Sequence, residues 1–430
     1  MTEPVPILRR HVAAAVAGNA LEFYDFTTYS FFSAAIGQAF FPTGPHGLLD
    51  TEFGSLMFSL GTFGAGFLLR PVGGILIGHY ADRVGRRPAM LFSFTLMGVA
   101  ILALAFIPSY SRIGIAAPLL AIAARLAQGF ALGGEVGPTT AYLVESAPTH
   151  LRGLYASWQS ASQSIASMTG GTVGFVLALT LSAGDLQTYG WRIAFLLGAL
   201  TLPFGLYIRA SLPETLHDDD HLPHYDIDTA SVWDIVRDHA RPIVLGLMIL
   251  TSGTIGTYTL QYMTTFAQHD LHMAAKPSFA AALVNGLVGL FASLAGGYLS
   301  DLGGRRIVMI APRIVYLVAI LPMFMMIVDQ RSTLALLGGT AVLSILLNIS
   351  TGAFYVGFSE MLPRRVRGVI FATVYASAIA VFGGTTQPFI AWLIHVTNNP
   401  LASAWYLLGA TGLGLVAMIL MEETAPVKKR

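Results

Sequence analysis

Apolar stretches long enough to cross a membrane follow one another from residue 12 to residue 421, and they leave little chain for anything else. They fall at about 12–36, 53–80, 88–107, 114–144, 153–181, 190–209, 242–268, 277–301, 307–328, 333–360, 366–396 and 401–421. That pattern predicts an all-α membrane protein of twelve transmembrane helices. Several stretches exceed the roughly 20 residues needed to cross, so they tilt or protrude. Composition agrees: 11% of residues are charged, against about 25% in a soluble domain, and mean hydropathy is +0.66. The chain has no cysteine, which excludes disulfides and thiolate metal sites. Arg9, Arg10 and His11 lead into an apolar run too long for a signal peptide, so no cleavable signal is expected.

Basic residues in the loops set the orientation. With the N-terminus in the cytoplasm, that side collects Arg9, Arg10, Arg83, Arg86, Arg87, Arg152, Arg209, Arg237, Arg241, Arg305, Arg306, Arg313, Arg364, Arg365, Arg367, Lys428, Lys429 and Arg430. The opposite side keeps Arg112, Arg192, Lys276 and Arg331. Both termini are therefore expected to be cytoplasmic, in a multi-pass protein of a cell (inner) membrane. Arg70 and Arg125 fall inside the membrane.

The chain repeats itself. Gly78, Asp82, Arg86 and Arg87 return as Gly297, Asp301, Arg305 and Arg306, at a constant offset of 219. Glu145-x-x-Pro148-x-x-x-Arg152 returns as Glu360-x-x-Pro363-x-x-x-Arg367, at an offset of 215. Trp191 and Trp405 differ by 214, and Glu214-Thr215 and Glu423-Thr424 by 209. Matched features in one order describe a parallel repeat, with a binding site expected where the halves meet. The expected division is a six-helix bundle over 1–209, a cytoplasmic linker over 210–241 and a second six-helix bundle over 242–430. The acidic linker (Asp218, Asp219, Asp220) is too short to be a catalytic domain.

These motifs resemble the major facilitator superfamily, over essentially the whole chain. The stretch Gly78 to Arg87, with Arg83 and Gly85, is similar to that superfamily's hinge between helices two and three, and Arg125-x-x-Gln128-Gly129 resembles its fourth-helix arginine motif. Gly18-Asn19-Ala-Leu-Glu22-Phe-Tyr24-Asp25-Phe26, Arg70-Pro71-Val-Gly73-Gly74 and Gly133-Gly134-Glu135 resemble the metabolite:proton symporter branch. Ile113-Gly114-Ile-Ala-Ala-Pro118 and Ser157-Trp158-Gln159-Ser160-Ala-Ser162-Gln163 are similar to its citrate:proton symporters. The resemblance implies two pseudo-symmetric six-helix bundles and proton-coupled uptake, by alternating access, of citrate or a related tri- or dicarboxylate. The branch also takes up zwitterions such as betaine or proline, and a transporter-derived substrate sensor is a further alternative. The expected partners are a small carboxylate, protons and the lipid bilayer; no nucleic acid, metal or cofactor is expected, and the protein is expected to be a monomer.

An ionisable group at a helix centre costs about 2.5–3.5 kcal/mol on insertion scales, so each needs a partner or a task. Arg70 and Arg125 are candidate anion ligands, because a guanidinium stays charged and meets a carboxylate with two parallel N–H bonds. The competing reading is that Glu22, Asp25 or Glu135 neutralises them. Glu22 is the first candidate proton carrier and Asp25 the second, three residues on; Glu135 reads better as structural pairing. Burial favours the neutral carboxyl and a nearby cation the charged one, so protonation can follow substrate occupancy. Asn19, Gln128, Gln159 and Gln163 offer hydrogen bonds from the first half, and Tyr258, Gln261, Tyr262, Asn348, Tyr355 and Tyr375 from the second. The hinge residues bear on gating: Asp82 is expected to cap helix eleven and Arg86 to pair with Glu145. Asp301, Arg305 and Glu360 repeat that arrangement. No enzyme motif is present; Gly412-x-Gly414-x-x-Ala417 lies inside the last span with no strand before it, so it is no dinucleotide fingerprint.

Overall fold

The computed structural model describes residues 9–44, 47–84, 86–133, 143, 147–200, 202–203, 237, 239–362 and 367–425, apart from the side chains of 9–11, 13–15, 78, 81–82, 86–87, 90, 149, 367–369 and 372. Among the described residues the longer helical segments group into twelve spans. The first six are α1 (Arg9–Phe31, continued by Ser33–Phe40), α2 (Glu52–Leu68 and Arg70–Val84), α3 (Arg86–Phe106), α4 (Ala116–Leu132), α5 (Arg152–Thr180) and α6 (Trp191–Ala199). The last six are α7 (Ala240–Thr265), α8 (Ala275–Gly303), α9 (Arg305–Gln330), α10 (Thr333–Met361), α11 (Arg367–Ala378 and Gly384–Thr397) and α12 (Ala402–Leu420). Among the described residues no strand forms; Thr43 and Leu49 make an isolated bridge. Each sequence-predicted segment coincides with one helix. The expected ends of the fourth and sixth segments, and most of the 210–241 linker, lie outside the described residues.

Length and composition alone qualify α2 and α7 to α12 as membrane spans, and α3 and α4 contain shorter apolar helices. The polar load of α5, Ser157 to Ser167, is turned inward: Ser157, Gln159, Ser160, Ser162, Ser164 and Ser167 are all buried. Large apolar side chains such as Leu68, Ile75, Phe106, Val318 and Leu334 face outward instead. Polar groups inside and apolar ones outside is the arrangement of a bundle solvated by lipid.

Two irregularities re-aim side chains. At Leu69 helix α2 is interrupted. Pro71, just beyond, has no N–H to donate back to the preceding turn, so the helix bends there. In α11 a π-helical turn, Ile379–Gly383, separates the two segments; such turns recur beside functional sites. Close backbone approaches fix the rest. A Cβ on Gly129 of α4 would stand 1.8 Å from the carbonyl oxygen of Gly66 in α2, so these helices touch backbone to backbone.

Helices α5 and α8, one from each half, lie together along their length. Gly153 meets Gly297 at one end and Gly171 and Gly174 meet Ala282, Leu283 and Phe279 towards the other. At the end remote from the hinges, the Ser33 hydroxyl is 3.0 Å from Thr265 Oγ1, and Gln387 Nε2 donates to Ser30 Oγ at 2.6 Å. The rings of Phe53 and His395 stack there, with centroids 3.7 Å apart.

Candidate functional site

Arg70, the first residue beyond the interruption at Leu69, lies inside the bundle, only 5% exposed. Its guanidinium carbon lies 4.5 Å from the ring centre of Phe26 and 4.2 Å from that of Phe67. Its Nε and Nη2 are buried without a hydrogen-bond partner, and no carboxylate among the described residues forms an ion pair with it. Desolvated cation–π contacts give about 2 kcal/mol or more, against a burial penalty of several kcal/mol for an unpaired ion. The rings offset the charge only in part.

Arg125 is different. Its Nη1 donates to Asp25 Oδ2 at 3.0 Å and to Gln128 Oε1 at 2.5 Å, and both charged side chains are buried. Phe26 also touches this guanidinium, at 4.3 Å, with Tyr29 at 4.6 Å and Phe63 at 5.5 Å. The pair uses one nitrogen; Nε and Nη2 of Arg125, and Oδ1 of Asp25, keep no partner. Asp25 also borders a cavity of about 10 Å³ between α1, α3 and α6, room for about one water. Glu22 is buried one turn earlier on α1.

Two adjoining cavities occupy the centre. One, of about 40 Å³, is lined by Ser160, Gln163, Gln261, Asn285, Asn348 and Tyr355 among others. The second, about 30 Å³, shares Gln163 and Tyr355 and adds Tyr258, Tyr375 and Arg313. They hold about three and two waters, so a solute the size of a tricarboxylate enters only when the helices part. Gln163 Nε2 donates to the Tyr375 hydroxyl at 3.3 Å. Both polar atoms of Gln159, and Oε1 of Gln261, are buried without partners.

Other candidates are occupied elsewhere. Asn19 donates to Ser162 Oγ at 2.6 Å, tying α1 to α5. The Tyr262 hydroxyl donates to Asp270 Oδ2 at 3.1 Å, away from the cavities. Asn348 lines the cavity but is held by Ser344 and Ser293. Arg313 corrects the loop count: rather than facing the cytoplasm it is 1% exposed within α9, because α9 already begins at Arg305. Nothing in the sequence marks the rings of Phe26, Phe63 and Phe67 as guanidinium partners, because their spacing in α1 and α2 is that of core residues.

At the hinge end, the second-half motif forms a network. Asp301 Oδ1 accepts the Gly153 N–H at 2.8 Å and Oδ2 the Leu154 N–H at 3.0 Å, so α8 caps the start of α5. Arg305 Nη1 reaches Asp301 Oδ1 at 2.6 Å, while its Nε and Nη2 meet Glu360 Oε2 and Oε1 at 3.2 and 3.3 Å. A Cβ on Gly153 would stand 2.4 Å from the Gly297 carbonyl oxygen, so only glycine allows this approach. Glu423 accepts the N–H groups of Arg305 and Arg306 at 2.9 and 3.1 Å, and Thr424 donates to Glu360 at 3.0 Å. Burial pushes the Glu423 carboxyl up, but the N–H groups of Ala425, Arg305, Arg306 and Thr424 outweigh it and hold it below its ordinary value. Arg306 Nη2 also reaches the Ile419 carbonyl at 2.6 Å. Arg83 is exposed and Arg152 half-buried. Gly85, Glu135 and Glu145 lie outside the described residues, as do the surroundings of Gly78 and the side chains of Asp82, Arg86, Arg87 and Arg367.

A family model described as Major Facilitator Superfamily matches residues 26–385. The chain belongs to the major facilitator superfamily. A citrate-proton symporter of Klebsiella pneumoniae is 34% identical over 417 residues, covering 97% of this chain and 92% of that protein. A glycine betaine/proline/ectoine/pipecolic acid transporter of Dickeya dadantii is 30% identical over 429 residues, covering 97% and 84%. The fold matches the crystal structure of a D-xylose-proton symporter with a TM-score of 0.74 over 97% of both chains, at 18% identity. With these likenesses the architecture is the twelve-helix major facilitator fold, and the protein is a transporter, not an enzyme.

Proposed function

We propose that the protein couples proton entry to uptake of a carboxylate, with citrate or a related tri- or dicarboxylate first. The observation that carries this reading is Arg70: a buried guanidinium with aromatic neighbours and no carboxylate of the described chain paired to it. A substrate carboxylate supplies the missing anion with two parallel N–H bonds. Gln159, Gln163 and Tyr375 supply donors to the remaining oxygens. The 34% identity to a citrate-proton symporter supports the same substrate class.

Asp25 and Glu22 carry the proton in this scheme. Asp25 shares the Phe26 cage with Arg70 through its bond to Arg125. An anion arriving at Arg70 therefore adds negative charge beside Asp25, which favours the protonated carboxyl. Substrate and proton then bind together and move together. The two halves, about 1–209 and 242–430 with the linker between, rock around the site. The Asp301 network closes the cytoplasmic side, where both termini lie, of a protein in a cell (inner) membrane. The protein works as a monomer.

The relative that carries glycine betaine and proline favours a second reading, zwitterion uptake by the same site. Uptake of citrate, 2-oxoglutarate, shikimate and betaine into proteoliposomes, with and without an inward proton gradient, separates the two. Citrate uptake that rises with the gradient is expected. Uptake of betaine but of no organic acid overturns the substrate class, and flux indifferent to the gradient overturns the coupling.

A further inference from the structure

Arg313 has no role in the scheme above. It follows Pro312 in α9 and lies eight residues into that helix, about 12 Å from its start. Its side chain is fully enclosed. Nε and Nη1 make no hydrogen bond, the Tyr316 ring is 5.7 Å from its guanidinium carbon, and no carboxylate among the described residues forms an ion pair with it. The group borders the same cavity as Tyr258, Tyr355 and Tyr375. From the first half of the chain, Arg70 lies over the Phe67 ring at 4.2 Å, and that ring packs edge-on against Tyr258 with centroids 5.5 Å apart. One cluster of phenols thus stands between two cations, one from each half.

We propose that Arg313 is a second anion-binding group of the substrate cavity, so that the site selects solutes carrying two or more carboxylates. The inference rests on the carboxylate reading above. Where a buried arginine of this chain serves structure, a carboxylate is provided: Asp25 for Arg125, and Asp301 and Glu360 for Arg305. Arg70 and Arg313 are the exceptions among the described buried arginines; Arg313 borders the tyrosine cluster directly and Arg70 approaches it through Phe67. A dicarboxylate spanning the two guanidinia satisfies both. A zwitterion satisfies one and brings its ammonium towards the other, which selects against it. Phenol hydroxyls between the two cations donate to the carboxylate oxygens without adding charge.

The test is uptake of citrate and of a citrate monoamide, in which a neutral group replaces one carboxylate, by wild type, Arg313→Lys and Arg313→Gln in proteoliposomes. Wild type is expected to prefer citrate in KM by about 10- to 100-fold, the value of one charge-assisted hydrogen-bonded contact. Arg313→Gln is expected to raise the KM for citrate to near that for the amide, with Vmax changed less. Arg313→Lys keeps the charge but not the two-pronged geometry, and is expected to narrow the preference several-fold. Equal KM values for the two solutes in wild type overturn the proposal. So does an unchanged preference in Arg313→Gln or, should that variant not fold, in Arg313→Lys. Betaine uptake without citrate uptake by wild type defeats the proposed function itself; citrate uptake with an unchanged preference in the variants defeats the Arg313 assignment alone.

Discussion

Asp301→Asn is the sharpest perturbation of the hinge network. The carboxylate accepts one backbone N–H of α5 on each oxygen, from Gly153 at 2.8 Å and Leu154 at 3.0 Å. An amide keeps one acceptor and turns its own N–H₂ towards the other donor. One hydrogen bond to a charged acceptor is lost, about 1.5–3 kcal/mol, together with the attraction of the charge for the helix N-terminus, about 0.3–1 kcal/mol. Arg305, Asp301 and Glu360 all belong to the same half, so a rigid-body movement of that half leaves the Arg305 contacts the same in both access states and their change largely cancels. The closed hinge end is therefore weakened by about 2–4 kcal/mol, a shift of about 30- to 1000-fold in the balance between access states. Since the chain has no cysteine, a single Ser164→Cys on the cavity wall reports the change cleanly. Its modification by a membrane-impermeant thiol reagent from the hinge side is expected to quicken by about 30-fold or more. Turnover is expected to fall while citrate affinity stays within a few-fold. Labelling within about three-fold of the parent protein, with normal turnover, refutes the role of the Asp301 contacts as a gate.

Three further outcomes follow from particular contacts. Gly153→Ala puts a Cβ 2.4 Å from the Gly297 carbonyl oxygen and 2.5 Å from Ser300 Oγ; uptake is expected to drop about ten-fold or more in protein that still purifies folded, and wild-type uptake contradicts the close approach. Asp25→Asn leaves Arg125 buried without its counter-charge, a loss of about 3–5 kcal/mol that lowers Tm, while adding Arg125→Gln restores much of it; strictly additive losses in Tm contradict the coupling of the pair. Glu423 is held below its ordinary value of 4.5, so its contribution is present above that pH and is lost as pH falls through the folded value. Wild type and Glu423→Gln are accordingly expected to differ in Tm at neutral pH and to converge below about pH 4.5; a gap that widens in acid contradicts the assignment.

Helix number and placement were legible because a membrane helix must satisfy its own backbone, which makes long apolar runs nearly unambiguous. The pairings were less legible. Arg70 stood out because it interrupts an apolar run, and Arg313 interrupts one in the same way, between Ile310 and Ile314. Counting basic residues near helix ends assigned Arg313 to a loop, since that rule has no term for burial. Sequence spacing also could not decide which carboxylate meets Arg125. Glu22 and Asp25 lie three residues apart on one helix, and the choice of Asp25 depends on how closely α1, α2 and α4 approach. Gly66 and Gly129 set that approach through a backbone contact between helices some sixty positions apart, which no local pattern displays. Glu423 and Thr424 were visible as a repeat of Glu214 and Thr215 without a task; their hydrogen bonds to α9 and Glu360 supply one.

Helix α5 joins the hinge to the cavity. Gly153 and Leu154 at its first turn are held by Asp301, and Gln163 on the same helix borders both central cavities. Ten residues of helix separate Gly153 from Gln163, about 15 Å. A rigid helix of this length cannot follow a substrate at Gln163 without moving its capped end, and the capping geometry tolerates only tenths of an ångström before an N–H···O bond is lost. On the proposed function, Gly153 and Gln163 would form one mechanical unit in which binding and closure are read by the same backbone. Gln163→Ala is expected to raise the KM for citrate and, in the Ser164→Cys background, to abolish the change in labelling rate that citrate produces from the hinge side. A citrate-dependent change that survives in Gln163→Ala assigns the coupling to another helix, and α5 then serves as a wall of the cavity alone.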